Sequence, residues 1–171
     1  MRARVIAAFI AGLSVTSLAG AQTVGSTLEG NVIAIEDGDT LTLLDGSFQK
    51  YRLRLSDIDA PEAQHGKARP GQPFNERSKQ NLAKMCFGVT ATALITDMDT
   101  RYGRPVARIR CKGQDANLEQ VKAGLAWFNT KYSHDQVMKA AEVSAREARM
   151  GLWADPDPVP PWEWRRTRWS N

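Results

Sequence analysis

Residues 36–62, EDGDTLTLLDGSFQKYRLRLSDIDAPE, gather seven carboxylates and two arginines into a stretch otherwise built of apolar residues and turn formers. Asp37 and Asp39 stand in its first turn, and Asp57, Asp59 and Glu62 follow its last apolar run. In a meander the end of a third strand can lie beside the end of the first, so the two acidic turns can converge. Clustered carboxylates repel one another unless a cation neutralises them, and hard divalent cations take oxygen ligands. A Ca²⁺ or Mg²⁺ site is the expected resolution. Asp is also an ordinary turn former, which alone would account for DGD. Asp37 and Asp57 are accordingly ranked behind the other acids.

Arg54 turns this acidic set towards phosphate chemistry. Alternation in RLRLSD puts Arg52 and Arg54 on one face of a strand and Leu53 and Leu55 on the other. Two arginines on a solvated face would be unremarkable, but an arginine beside a bound metal can hold two phosphate oxygens in its fork. Arg104, in TRYGRPVAR directly after a tight turn, is a second such candidate. Two guanidinium groups, a divalent ion and a carboxylate base suffice for phosphodiester hydrolysis. His65 and His134 are not needed, because oxygen chemistry explains the site without them.

The elements that must position these groups follow from pattern. Thr27–Ile35, LTLL and FQKYRLRLSDI read as three strands of a meander, with DGS as a hairpin signal. Residues 74–85 form a short amphipathic helix after Pro73. VTATALITDMD and RPVARIRC make a second hairpin. A helical pattern runs through ANLEQVKAGLAW to Gly124, and another spans 135–149, with Gly151 as its stop. Trp127, Phe128 and Leu125 read as packing residues. The prolines at 156, 158, 160 and 161 rule out a continued helix, and the tail is expected to run extended over the surface, anchored by Trp153 and Trp162. Its basic end, WEWRRTRWSN, reads as a solvated run or as an extension of nucleic-acid contact. Five strands with about three helices predict an α+β architecture, mainly a five-stranded barrel of the OB type.

DGDTLTL, RLSDIDAPE, RYGRPVARI, NLEQVKAGLAW and AREARMGLW, in this order, closely resemble the motifs of the thermonucleases, the secreted staphylococcal-nuclease-like family. The likeness covers roughly residues 28–155. It implies an OB-fold barrel and a Ca²⁺-dependent endonuclease that acts on DNA and RNA and leaves 3′-phosphates. Asp39 and Asp59 resemble the metal carboxylates, with the backbone carbonyl of Ala60 beside them. Glu62 resembles the residue proposed as general base, and Arg54 and Arg104 the two phosphate-binding arginines. Arg101 stands where the family reference has a lysine, Tyr102 matches a nucleotide-contacting tyrosine, and Tyr132 another aromatic of the pocket. Thr130 replaces a further tyrosine, a departure that bears on base stacking and leaves the catalytic set intact.

The 171 residues suit one compact domain. Arg2 and Arg4 precede an apolar run that ends in small residues, so residues 1–21 read as a signal peptide, 22–155 as the nuclease domain and 156–171 as a tail. Cleavage would remove two arginines and lower the net charge from +4 to +2, mildly basic. Export, to the periplasm or the medium, makes a Cys86–Cys111 disulfide the expected state, against two free thiols or a metal pair. A monomer is expected. Two other classes compete: a non-catalytic nucleic-acid-binding OB module, which has no use for a carboxylate pair, and a structural or adhesive barrel, which leaves both arginines unexplained.

Overall fold

The structure, a computed structural model, describes residues 23–64, 66, 70–100 and 103–167. The expected signal peptide at 1–21 lies outside the described residues, as do His65, Arg101 and Tyr102.

The strand signals are met with little shift. β1 (Thr27–Ile35), β2 (Thr40–Leu44) and β3 (Lys50–Leu55) form the meander. β4 (Ile58–Asp59) follows, then α1 (Asn75–Cys86), and β5 (Thr90–Asp99) and β6 (Arg104–Cys111) form the second hairpin. β7 (Gln114–Asp115) leads into α2 (Ala116–Lys122), β8 (Trp127–Phe128) pairs with β4, and α3 (Gln136–Glu147) follows. The sheet runs β3-β2-β1-β5-β6-β7, and a parallel pairing of β3 with β6, Arg54 opposite Val106 and Leu55 opposite Ala107, closes five strands into a barrel. Closure leaves no long exposed edge for another chain to pair with. This is the OB-type α+β fold the pattern predicts.

Alternating Val32, Leu41, Leu43, Leu53, Leu55, Ile95 and Ile109 fill the barrel and are essentially inaccessible to solvent. The same alternation leaves Arg52 exposed and Arg54 half-buried on the outer face of β3. Both later helices start at an aspartate cap: Asp115 accepts from the Leu118 amide at 3.1 Å, and Asp135 from those of Val137 and Met138 at 2.8 and 3.1 Å. Cys86, at the end of α1, and Cys111, at the end of β6, form the expected disulfide with Cα atoms 5.3 Å apart. Closing a loop with sequence separation 25 is worth about 3 kcal/mol by restricting the unfolded chain.

The tail departs from the extended course read from its prolines. Pro161–Trp164 forms a four-residue helix, α4, because Pro161 sits at its first position, where a missing amide costs nothing. Pro161 is buried, Gln72 donates through Nε2 to the Val159 carbonyl, and Trp162 meets Trp127 edge to face with centroids 5.6 Å apart. Trp127, Trp153, Leu152 and Ala145 form a second small core under this tail. Trp153 and Trp162 thus anchor it as expected. Among the described residues no helix is long and apolar enough to cross a membrane.

Candidate active site

The first acidic turn is held from beneath by two helices. A Cβ on Gly38 would lie 1.8 Å from Ser78 Oγ on α1 and 2.8 Å from the Cβ of Ala60, so the backbone must be bare there. The Gly38 carbonyl accepts from buried Gln120 Nε2 of α2 at 2.6 Å, and the same nitrogen donates to the Ser78 carbonyl at 3.1 Å. From this seat Asp39 accepts from the Ala60 amide at 3.1 Å and from Thr40 Oγ1 at 3.0 Å.

Ala60 follows Asp59, the last residue of β4, and this contact brings the two acidic turns together. Asp39 and Asp59 are 6 % and 1 % exposed, and Arg54 Nη2 reaches both, at 3.3 and 2.9 Å. Glu62 follows on a loop fixed by Gln72, whose Oε1 accepts from the Glu62 amide at 3.1 Å and whose own amide donates to the Glu62 carbonyl at 2.8 Å. Asp39, Arg54, Asp59, Ala60 and Glu62 thus lie together; spacing points to the meeting of the two acidic turns, and Ala60 enters only through the family resemblance.

Burial and neighbouring charge shape the electrostatics of these acids. Burial and the facing Asp39 carboxylate push the Asp37 carboxyl up to about 7. The charge of Asp39, reinforced by Asp59 and opposed by burial, holds the Arg54 guanidinium above its ordinary value. Asp37, ranked behind the other acids in the sequence, is therefore part of the same electrostatic unit.

Arg104 enters from the β5–β6 hairpin, where it faces Asp99 across the strands at 3.4 Å. Its Nε is buried and has no hydrogen-bond partner among the described residues, a donor suited to an anionic acceptor. Arg54, Ala60, Glu62 and Arg104 share the wall of an open cleft of about 1240 Å³. Tyr132 stands on its rim, 70 % exposed and 5.2 Å from Lys131 Nζ, where a flat ring is free to stack. Asp57, by contrast, turns away towards Arg108, at 3.4 Å.

One residue of the site was missed in the sequence. Arg165, directly after α4, pairs through Nη2 and Nη1 with Asp59 Oδ2 and Oδ1 at 2.6 and 3.1 Å, and through Nη1 with Glu62 Oε1. Burial alone would lower its pKa, but hydrogen bonds and charge from Asp59 and Glu62 outweigh that and hold it above its ordinary value. WEWRR was legible as a basic run, and Pro161 as a helix start, but neither signal says where the guanidinium goes.

Among the described residues no three Asp, Glu, His or Cys side chains converge as a complete metal-ligand set. What the site offers a cation is two buried carboxylates on one guanidinium nitrogen and a neighbouring backbone carbonyl at Ala60. These are hard oxygen donors, and they fit a hard divalent ion in kind.

The chain is similar to proteins of one known family. The family described as "Staphylococcal nuclease homologue" matches residues 52–155. An "Uncharacterized endonuclease" of Haemophilus influenzae is 38 % identical over 140 residues, which cover 82 % of this chain and 74 % of that protein. An "Uncharacterized endonuclease" of Escherichia coli is 35 % identical over 142 residues, covering 82 % and 87 % respectively. A "Micrococcal nuclease" of Shigella flexneri is 37 % identical over 148 residues and 80 % of each chain. With its barrel, its paired acidic turns and these relatives, the chain belongs to the staphylococcal nuclease family.

Proposed function

We propose that this protein is an exported, calcium-dependent endonuclease that hydrolyses the phosphodiester bonds of DNA and RNA with little sequence preference and leaves 3′-phosphate ends. The observation that carries the reading is the meeting of Asp39 and Asp59 at one nitrogen of Arg54, in a cleft that also holds Glu62 and Arg104. A binding module needs basic and aromatic groups, but it gains nothing from burying two carboxylates at substantial desolvation cost.

Asp39, Asp59 and the Ala60 carbonyl would hold Ca²⁺, with solvent or substrate oxygens completing its shell. When bound, the ion supplies positive charge to a phosphate and to the extra negative charge of its five-coordinate transition state. The remaining work falls to side chains. Arg54 and Arg104 hold the phosphate oxygens in their forks, and Arg104 Nε has a donor to spare for them. The Glu62 carboxylate takes the proton of the attacking water as its oxygen bonds to phosphorus, and the 5′ P–O bond breaks, the departing 5′ oxygen taking a proton from solvent to become a hydroxyl. Tyr132, with Arg101 and Tyr102, would contact the nucleotide.

Incubating the purified chain lacking residues 1–21 with plasmid DNA or RNA, with Ca²⁺ and with a chelator, tests this. Calcium-dependent degradation of both polymers to 3′-phosphate ends is the expected outcome. Retarded but intact DNA would replace the reading with a binding module, and parallel trials with Mg²⁺ and Mn²⁺ establish metal preference. Sizing the purified protein by light scattering should return a monomer, and periplasmic or medium fractions should contain a chain that begins after residue 21.

A further inference from the structure

The tail is built into the site. Its prolines bring Val159 onto Gln72, the residue that also fixes Glu62, and Trp162 onto Trp127, the residue opposite Asp59 in the β4–β8 pair. Arg165 is thereby delivered to the acids from 106 residues away in the chain. Its contacts fall on Asp59 and Glu62, while the next arginine, Arg166, lines the cleft with an exposed side chain.

We propose that Arg165 is a counterion that the tail supplies to Asp59 and Glu62, and that a divalent cation must displace it from Asp59 in order to bind. The inference rests on the reading of Asp39 and Asp59 as cation ligands. A carboxylate as buried as Asp59 needs positive charge beside it, and Arg54 provides one hydrogen bond where Arg165 provides two. A dication on the same carboxylate competes for the oxygens Arg165 holds and repels its guanidinium. Every interaction that must be surrendered on binding weakens the apparent affinity by its own free energy. The tail therefore sets the cation concentration at which the site fills. By reciprocity the cation loosens Arg165 and the segment that carries it.

Calorimetric titration of Ca²⁺ into the full mature chain, without nucleic acid, tests this on wild type, Arg165→Met and Arg165→Lys. Losing a paired, charge-assisted contact should tighten Ca²⁺ binding by roughly tenfold or more in Arg165→Met, with Arg165→Lys between that variant and wild type. Trp162→Ala, which removes the tail's ring contact with Trp127 and leaves Arg165 itself unsubstituted, should tighten binding in the same direction. Equal or weaker binding by Arg165→Met, with circular dichroism showing a folded chain, overturns the inference and leaves the calcium site standing. If neither wild type nor any variant binds Ca²⁺, the calcium reading of the site falls, and this inference with it.

Discussion

Two arginines on neighbouring strands of the barrel each gather aspartates, and they do opposite things with them. Arg108 on β6 pairs with Asp115 at 2.6 Å, Asp135 at 3.1 Å and Asp57 at 3.4 Å. Each of these acids has a second occupation: Asp115 and Asp135 cap helices α2 and α3, and Asp57 accepts from Ser56 Oγ at 3.0 Å. Burial alone would lower the Arg108 pKa, but Asp115 and Asp135 prevail and hold it above its ordinary value. The cluster is a closed clamp on two helix starts and the β3–β4 turn. Around Arg54 the acids are more deeply buried, Asp37 is pushed up to about 7, and an arginine from the far end of the chain is recruited to Asp59. The same residue types make a fastening where the acids are partly exposed and also serve as caps and turn acceptors, and a candidate reactive centre where the acids are buried beside one another.

Four substitutions break or sharpen this contrast. The largest effect belongs to the site: Glu62→Gln and Arg104→Ala should each slow DNA cleavage by about 10²- to 10³-fold, the scale of losing one transition-state group. Their melting temperatures should stay near wild type in a thermal scan, and unchanged cleavage rates would remove these residues from the mechanism. At the clamp the expectation reverses. Arg108→Met strands three carboxylates and should cost about 2 kcal/mol in chemical denaturation while the folded fraction cuts at the wild-type rate. A fall in specific activity with unchanged stability would erase the distinction. Smaller still is the loss of one cap. Asp135→Ala should cost about 1 kcal/mol.

That last loss carries a pH signature. Hydrogen bonds from the Met138 and Val137 amides and from Arg108 outweigh burial and hold the Asp135 carboxyl below its ordinary value. Its stabilisation is therefore complete above the usual carboxylate range and is lost as pH falls through the depressed value. The stability gap between wild type and Asp135→Ala should narrow on acidification. A gap that widens in acid would mean that the carboxylate is not what caps the helix.

Much of the site was legible because its informative residues are local. Asp39, Arg54, Asp59 and Glu62 lie within one hairpin's reach, and β alternation alone puts Leu53 and Leu55 inward and Arg54 outward. The carboxylate convergence follows once a meander is assumed. Arg165 was not legible, because pairing across 106 residues depends on docking that no local pattern records. The proline-rich tail misled for a related reason: proline excludes a helix interior but favours a first turn, and only the packing around Pro161 and Trp162 decides between extended chain and helix.

By itself, then, the sequence determined the strands, the two acidic turns and the chemistry those residue types can perform, since these depend on periodicity and short spacings. Tertiary structure decided the rest: the closure of β3 on β6, the assignment of Asp57 to the Arg108 clamp, and the placing of a tail arginine on Asp59 and Glu62. Charges distant in sequence become partners only when a packed core holds them together, and their energies depend on the burial that the same packing creates.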